Sequence, residues 1–65
     1  MERIHKEDVE DVVSTIKTVM EKNDGKLPAK LYIECREGLS KASPSVVMAF
    51  YRELTAKCPA ALKYF

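Results

Sequence analysis

Between Lys6 and Lys22 the apolar residues Val9, Val12, Val13, Ile16, Val19 and Met20 recur at i, i+3, i+4 and i+7, the spacing of one helical face. This stripe constrains the chain more than any other feature. Glu7, Asp8, Glu10 and Asp11 crowd its first turns, where the helix dipole favours negative charge. Asn23-Asp24-Gly25 marks its end with a turn whose glycine accepts positive φ cheaply. With His5 at the N-cap, Ile4 and Val9 have the separation of a hydrophobic staple. Most of the stripe is β-branched and of mediocre helix propensity, so the helix needs packing against the rest of the chain or against a second copy.

Two more helices are expected. Pro28 suits a first helical position, and Leu31, Cys35 and Leu39 follow at i, i+4 and i+8, flanked by Tyr32 and Ile33. The spacing predicts a helix from Pro28 to about Glu37, closed by Gly38 with Leu39 folding back onto Ile33 or its neighbours, or continued as far as Lys41. Leu31 to Cys35 also alternates as a strand does, but the chain offers no clear second strand to pair with it. Ser43-Pro44-Ser45 opens a third helix, with serine at the N-cap and proline at the first position. It runs to about Lys57 before Pro59 stops it, with Val46, Val47, Phe50 and Leu54 as its apolar face and Tyr51 beside them. The tail Ala60 to Phe65 is apolar enough to dock on the core, as one further turn or a short fourth helix. The expectation is therefore an all-α fold, a compact three-helix domain made of residues 1–65 as a single unit.

Size and composition narrow the function. A chain of 65 residues buries only about 60% of its unfolded surface, so the core is small and room for a deep catalytic cleft is scarce. The longest apolar run, Val46 to Tyr51, falls far short of the ~18 residues that span a bilayer. The charged start from Met1 to Asp8 does not read as a secretory signal, which makes a cytoplasmic site of action the default. A mature secreted chain also lacks its signal, and the two cysteines then permit one disulfide.

Catalytic and metal motifs are weak. Gly25 and Gly38 do not form a phosphate-binding loop. His5, Cys35 and Cys58 are far apart and form no metal-ligand pair in sequence. Cys35 on an apolar stripe and Cys58 before a proline read as small packed thiols, in preference to a nucleophile partnered by His5. The acidic cluster at Glu7 to Asp11 points around a helix, whereas hard cations are held around a turn, so it reads as a solvated helix start. No enzyme and no cofactor is implied.

Charge is unevenly distributed. Eleven basic and ten acidic residues give +1 overall. Residues 1–24 carry four basic and seven acidic side chains, net −3, and residues 25–65 carry seven and three, net +4. The halves can complement each other within the fold or across a dimer. Alternatively, Lys26, Lys30, Arg36, Lys41, Arg52 and Lys57 form a basic face for phosphates.

Gly38-Leu39-Ser40-Lys41-Ala42-Ser43 resembles the turn and recognition-helix start of helix-turn-helix DNA-binding proteins, a likeness extending over Lys30 to Ala49. The alignment puts Ile33, Leu39 and Val47 on buried positions, and it departs from the family at Glu34, Glu37 and Pro44. The resemblance implies that Lys41, Ser43 and Ser45 face the major groove, with Lys30, Arg36 and Arg52 as further nucleic-acid candidates.

The first helix suggests another role. Val9, Val12, Ile16 and Val19 satisfy a and d positions over two heptads, enough for part of a dimer interface or a helix seated in a partner's groove. The face as a whole reads first as core, while Tyr51, Tyr64 and Phe65 can be kept for a partner. The preferred expectation is a non-enzymatic protein-binding regulator or adaptor, whose partner is another protein or a second copy. A helix-turn-helix-like nucleic-acid binder is the alternative. The two differ in salt response, because neutralising phosphates makes binding fall steeply with salt.

Overall fold

The computed structural model describes residues 2–65, which form α1 (Val9–Lys22), α2 (Ala29–Ser40) and α3 (Pro44–Lys57), with no strand among them. A 3-10 turn at Lys6–Asp8 leads into α1, and a 3-10 segment at Pro59–Tyr64 follows α3. The fold is all-α and compact, and the short C-terminal element anticipated after Pro59 is present. Leu31 to Cys35 lies inside α2, which settles the choice between helix and strand.

The apolar stripe explains the core. Val13 and Ile16 of α1 meet Phe50 and Leu54 of α3 in one cluster, all four with no exposed surface. α1 and α3 are the most closely packed pair of helices. At their C-terminal ends the Cys58 thiol donates to the Met20 sulfur at 3.8 Å. The Ile4 N–H donates to the Gly38 carbonyl at 3.3 Å, which places the segment before α1 against the C-terminal half of α2. α1 and α3 thus run in one direction and α2 runs back, an up-down-up arrangement. Ile4 and Val9 are both buried in the same cluster, as a staple requires.

Several local expectations need correction. Pro28 is the N-cap of α2, one position before the helix, and its carbonyl accepts from Leu31 and Tyr32. Gly38 does not close α2 but lies buried inside it, and the helix runs on to Ser40, close to the longer of its two expected ends. Ile33 is 55% exposed, so Leu39, which is buried, does not fold back onto a buried Ile33. The reason is helical geometry: two residues from Cys35 is a rotation of about 200°, which sends Ile33 to the opposite face. Ser43 occupies the N-cap of α3, yet its hydroxyl pairs with the Ser45 hydroxyl at 3.2 Å instead of capping the helix amides. Its carbonyl accepts from Val46 and Val47.

The turn after α1 matches the sequence closely. Asn23 and Gly25 both donate to the Met20 carbonyl, and Asp24 and Gly25 take φ of 53° and 75°. A Cβ at Gly25 meets nothing within 4 Å, so substitution there costs only backbone strain. Gly25→Ala is expected to destabilise the chain by about 1 kcal/mol, seen as a fall in Tm of roughly 4–8 °C in a thermal melt.

The C-terminal segment acts as a strap. The Leu27 N–H donates to the Tyr64 hydroxyl at 3.1 Å, and the Tyr64 ring lies 5.2 Å from that of Tyr32. Phe65 meets Phe50 edge-on at 5.3 Å, and its carbonyl accepts from the Tyr51 hydroxyl at 3.2 Å. The tail therefore ties the α1–α2 connection to α3. Tyr64→Phe keeps the ring but leaves a part-buried amide without its partner. It is expected to lower stability by about 1–2 kcal/mol in urea unfolding, with the m-value unchanged.

Candidate functional site

Val9 and Ile16, two of the four α1 residues with interface spacing, are buried in the core. Val12 and Val19 are half-buried at its edge. Around Val12 the cover is incomplete. A groove of about 430 Å³ opens between the N-terminal segment, α1 and α2, with an apolar floor of Val12, Ile16, Leu31 and Cys35.

Each wall has a local cause. Ile4 is drawn into the core and its backbone is held on Gly38, so residues 2–5 lap over the end of the bundle. His5 caps the 3-10 turn: its carbonyl accepts from the Asp8 N–H at 2.9 Å, and its N–H donates to the Asp8 carboxylate at 3.4 Å. That turn brings Glu2, Arg3, His5 and Asp8 to the rim, and the next turn of α1 adds Asp11 and Thr15. The Thr15 hydroxyl is satisfied by the Asp11 carbonyl at 2.9 Å.

The floor is chemically quiet. Burial raises the Cys35 thiol above its ordinary pKa, and the nearby Glu34 carboxylate adds to the rise. The thiol is therefore protonated at neutral pH, the opposite of an activated nucleophile. Cys58 is also buried, and neither cysteine is in a disulfide. Among the described residues no three His, Cys, Asp or Glu side chains gather as a metal site.

A second apolar strip lies on α3. Val46 to Tyr51 is six consecutive apolar residues, more than one helical turn, so the run cannot all face the core. Val46 and Phe50 are buried, whereas Met48 is 63% and Tyr51 36% exposed. Tyr51 borders Phe65 through its hydroxyl, and Tyr64 and Phe65 are half-buried. Of the tail aromatics with interface potential, Tyr64 mainly serves the strap.

Several of the nucleic-acid candidates have acidic neighbours. Lys41 pairs with Glu37 at 3.1 Å, which holds the Glu37 carboxyl below its usual range. Lys57 pairs with Glu53 at 2.7 Å, and that hydrogen bond raises its ammonium above the ordinary value. Arg52 lines a shallow depression with Glu7, Glu10 and Glu53. Lys30 and Arg36 are exposed on α2 among Glu34 and Glu37, and the hydroxyls of Ser43 and Ser45 face each other. The turn glycine of the helix-turn-helix resemblance is absent from the turn, because Gly38 is helical and the α2–α3 connection is Lys41-Ala42-Ser43.

Comparison of the chain with protein-family models, with curated proteins and with solved structures finds no match in any of the three. The floor of the groove makes one chemical prediction. A thiol reagent at pH 8 should leave Cys35 unmodified in the folded chain and react with it once guanidinium unfolds the protein. Because the folded thiol titrates above the unfolded one, its contribution to stability is present below the unfolded pKa and is lost as pH rises toward the folded value.

Proposed function

We propose that the chain is a non-enzymatic protein–protein interaction module, a small regulator or adaptor that works through the apolar face of α1 where α2 leaves it open. The observation that carries this reading is the groove itself. Val12 is half-buried on a floor of apolar side chains, and no polar or charged residue is buried among the described residues. The polar groups of the groove, Glu2, Arg3, His5, Asp8, Asp11 and Thr15, stand around an apolar floor. A partner's side chains, seated as the apolar anchors of a helix or an extended segment, need only the shape and the apolar surface.

Val12 is the position to test, since it lines the floor without being sealed in the core. The full chain is immobilised in parallel with its Val12→Lys variant, after circular dichroism confirms that both are folded. The native chain is expected to retain a protein from extract that the variant fails to retain. Equal retention by the two chains would sink the assignment to this groove. An adaptor acting through the Met48 and Tyr51 strip would show that pattern, with retention lost instead in Met48→Glu.

A further inference from the structure

From the charges around the groove we infer that its occupant is a basic amphipathic helix of a partner protein, with apolar side chains on the floor and Lys or Arg along the rim. The inference rests on the protein-binding reading and adds the chemistry of the partner. The acidic first turns of α1 divide into two groups. Glu7 and Glu10 line the side toward α3, where Lys6 and Arg52 lie beside them. Glu10 also contributes, behind Glu53, to the field that raises Lys57. On that side the opposite charges of the two halves of the chain meet within the fold.

The groove side is different. Its rim carries three carboxylates, Glu2, Asp8 and Asp11, against the single guanidinium of Arg3, beside the His5 imidazole. Neither Lys30 nor Arg36 lines it, and none of the ion pairs among the described residues reaches its carboxylates. Among the described residues, the one hydrogen bond to these side chains is that from the His5 amide to Asp8. Asp8, at the N-cap of α1, and Asp11, in its first turn, are three residues apart and offer their charge at about the spacing at which residues one turn apart on a seated helix repeat. Apolar anchors below and unneutralised negative charge above complement a helix with leucine-like residues on one face and cations flanking them.

The test uses the isotopically labelled full chain and three synthetic helical peptides of about fifteen residues. They share one leucine face, and their polar face is built from Lys, Gln or Glu. Binding is followed by amide chemical shifts and titrated to a Kd. The lysine peptide is expected to bind about tenfold tighter than the glutamine peptide, the glutamate peptide weaker still, with shifts centred on Val12, Leu31, Asp8 and Asp11. The double variant Asp8→Asn/Asp11→Asn should bring the lysine and glutamine peptides level. If those two peptides already bind the native groove equally, the basic partner is overturned while the protein-binding groove stands. If no peptide moves Val12 and Leu31, both fail. Shifts confined to the carboxylate-bearing residues with the floor unmoved would mark loose charge attraction and would also overturn the inference.

Discussion

The seam between α1 and α3 is the constraint on which the rest of the molecule depends. Val13, Ile16, Phe50 and Leu54 are its fully buried contacts, and a domain of this size has no second core to fall back on. The C-terminal strap is anchored to the same seam, because Phe65 meets Phe50 edge-on and Cys58 closes against Met20. A stripe of β-branched residues with modest helix propensity thereby becomes a stable helix, since each buried side chain supplies tertiary contact that propensity does not. The turn at Asp24 and Gly25 and the Tyr64 hydroxyl on Leu27 then fix how α2 leaves and returns.

α2 is attached differently. It contributes Cys35, Gly38 and Leu39 to the interior, and it is held at one end by the backbone bond from Ile4 and at the other by the Tyr32–Tyr64 ring contact. Its middle outer face shows Ile33 to solvent. A helix fixed at its ends over a narrow apolar stripe does not seal the face of α1 beneath it, and the groove at Val12 is the result. The site is therefore a consequence of how the bundle closes. The first and third helices compete for the same apolar residues, and the second covers what remains.

The parts of this arrangement that could be read in the sequence are those governed by local chemistry. The period of the α1 stripe, the Asn23-Asp24-Gly25 stop and the Ser43-Pro44 start locate α1 and α3 to within a few residues. Gly38 was not legible in the same way. A glycine near a helix end suggests termination, whereas here the carbonyl of a buried helical Gly38 receives the N-terminal segment, a long-range contact with no local signature. Ile33 shows the same limit: apolar identity near a stripe suggests burial, and only the helical phase set by Cys35 and Leu39 shows that it faces out. The groove itself depends on residues 2–5 folding across α2, so no motif could have announced it. Val12 was legible as an interface residue, but its distinction from Val9 and Ile16 appears only once the bundle is closed.

The charge asymmetry of the chain follows from the same geometry. The acids at the start of α1 are unevenly matched, and several basic residues of the second half have acidic neighbours. Lys41 and Lys57 are matched within their own helices, and Arg52 sits beside Glu7, Glu10 and Glu53. Exposed pairs of this kind stabilise the fold little, so their effect is chiefly to remove net positive charge from α3 and the end of α2. The excess negative charge is then left at the start of α1, at the mouth of the groove with its apolar floor. In the complex proposed above, long-range attraction would draw in a cation-bearing segment and apolar contact would hold it once seated, because rim charge governs encounter and orientation more than final affinity.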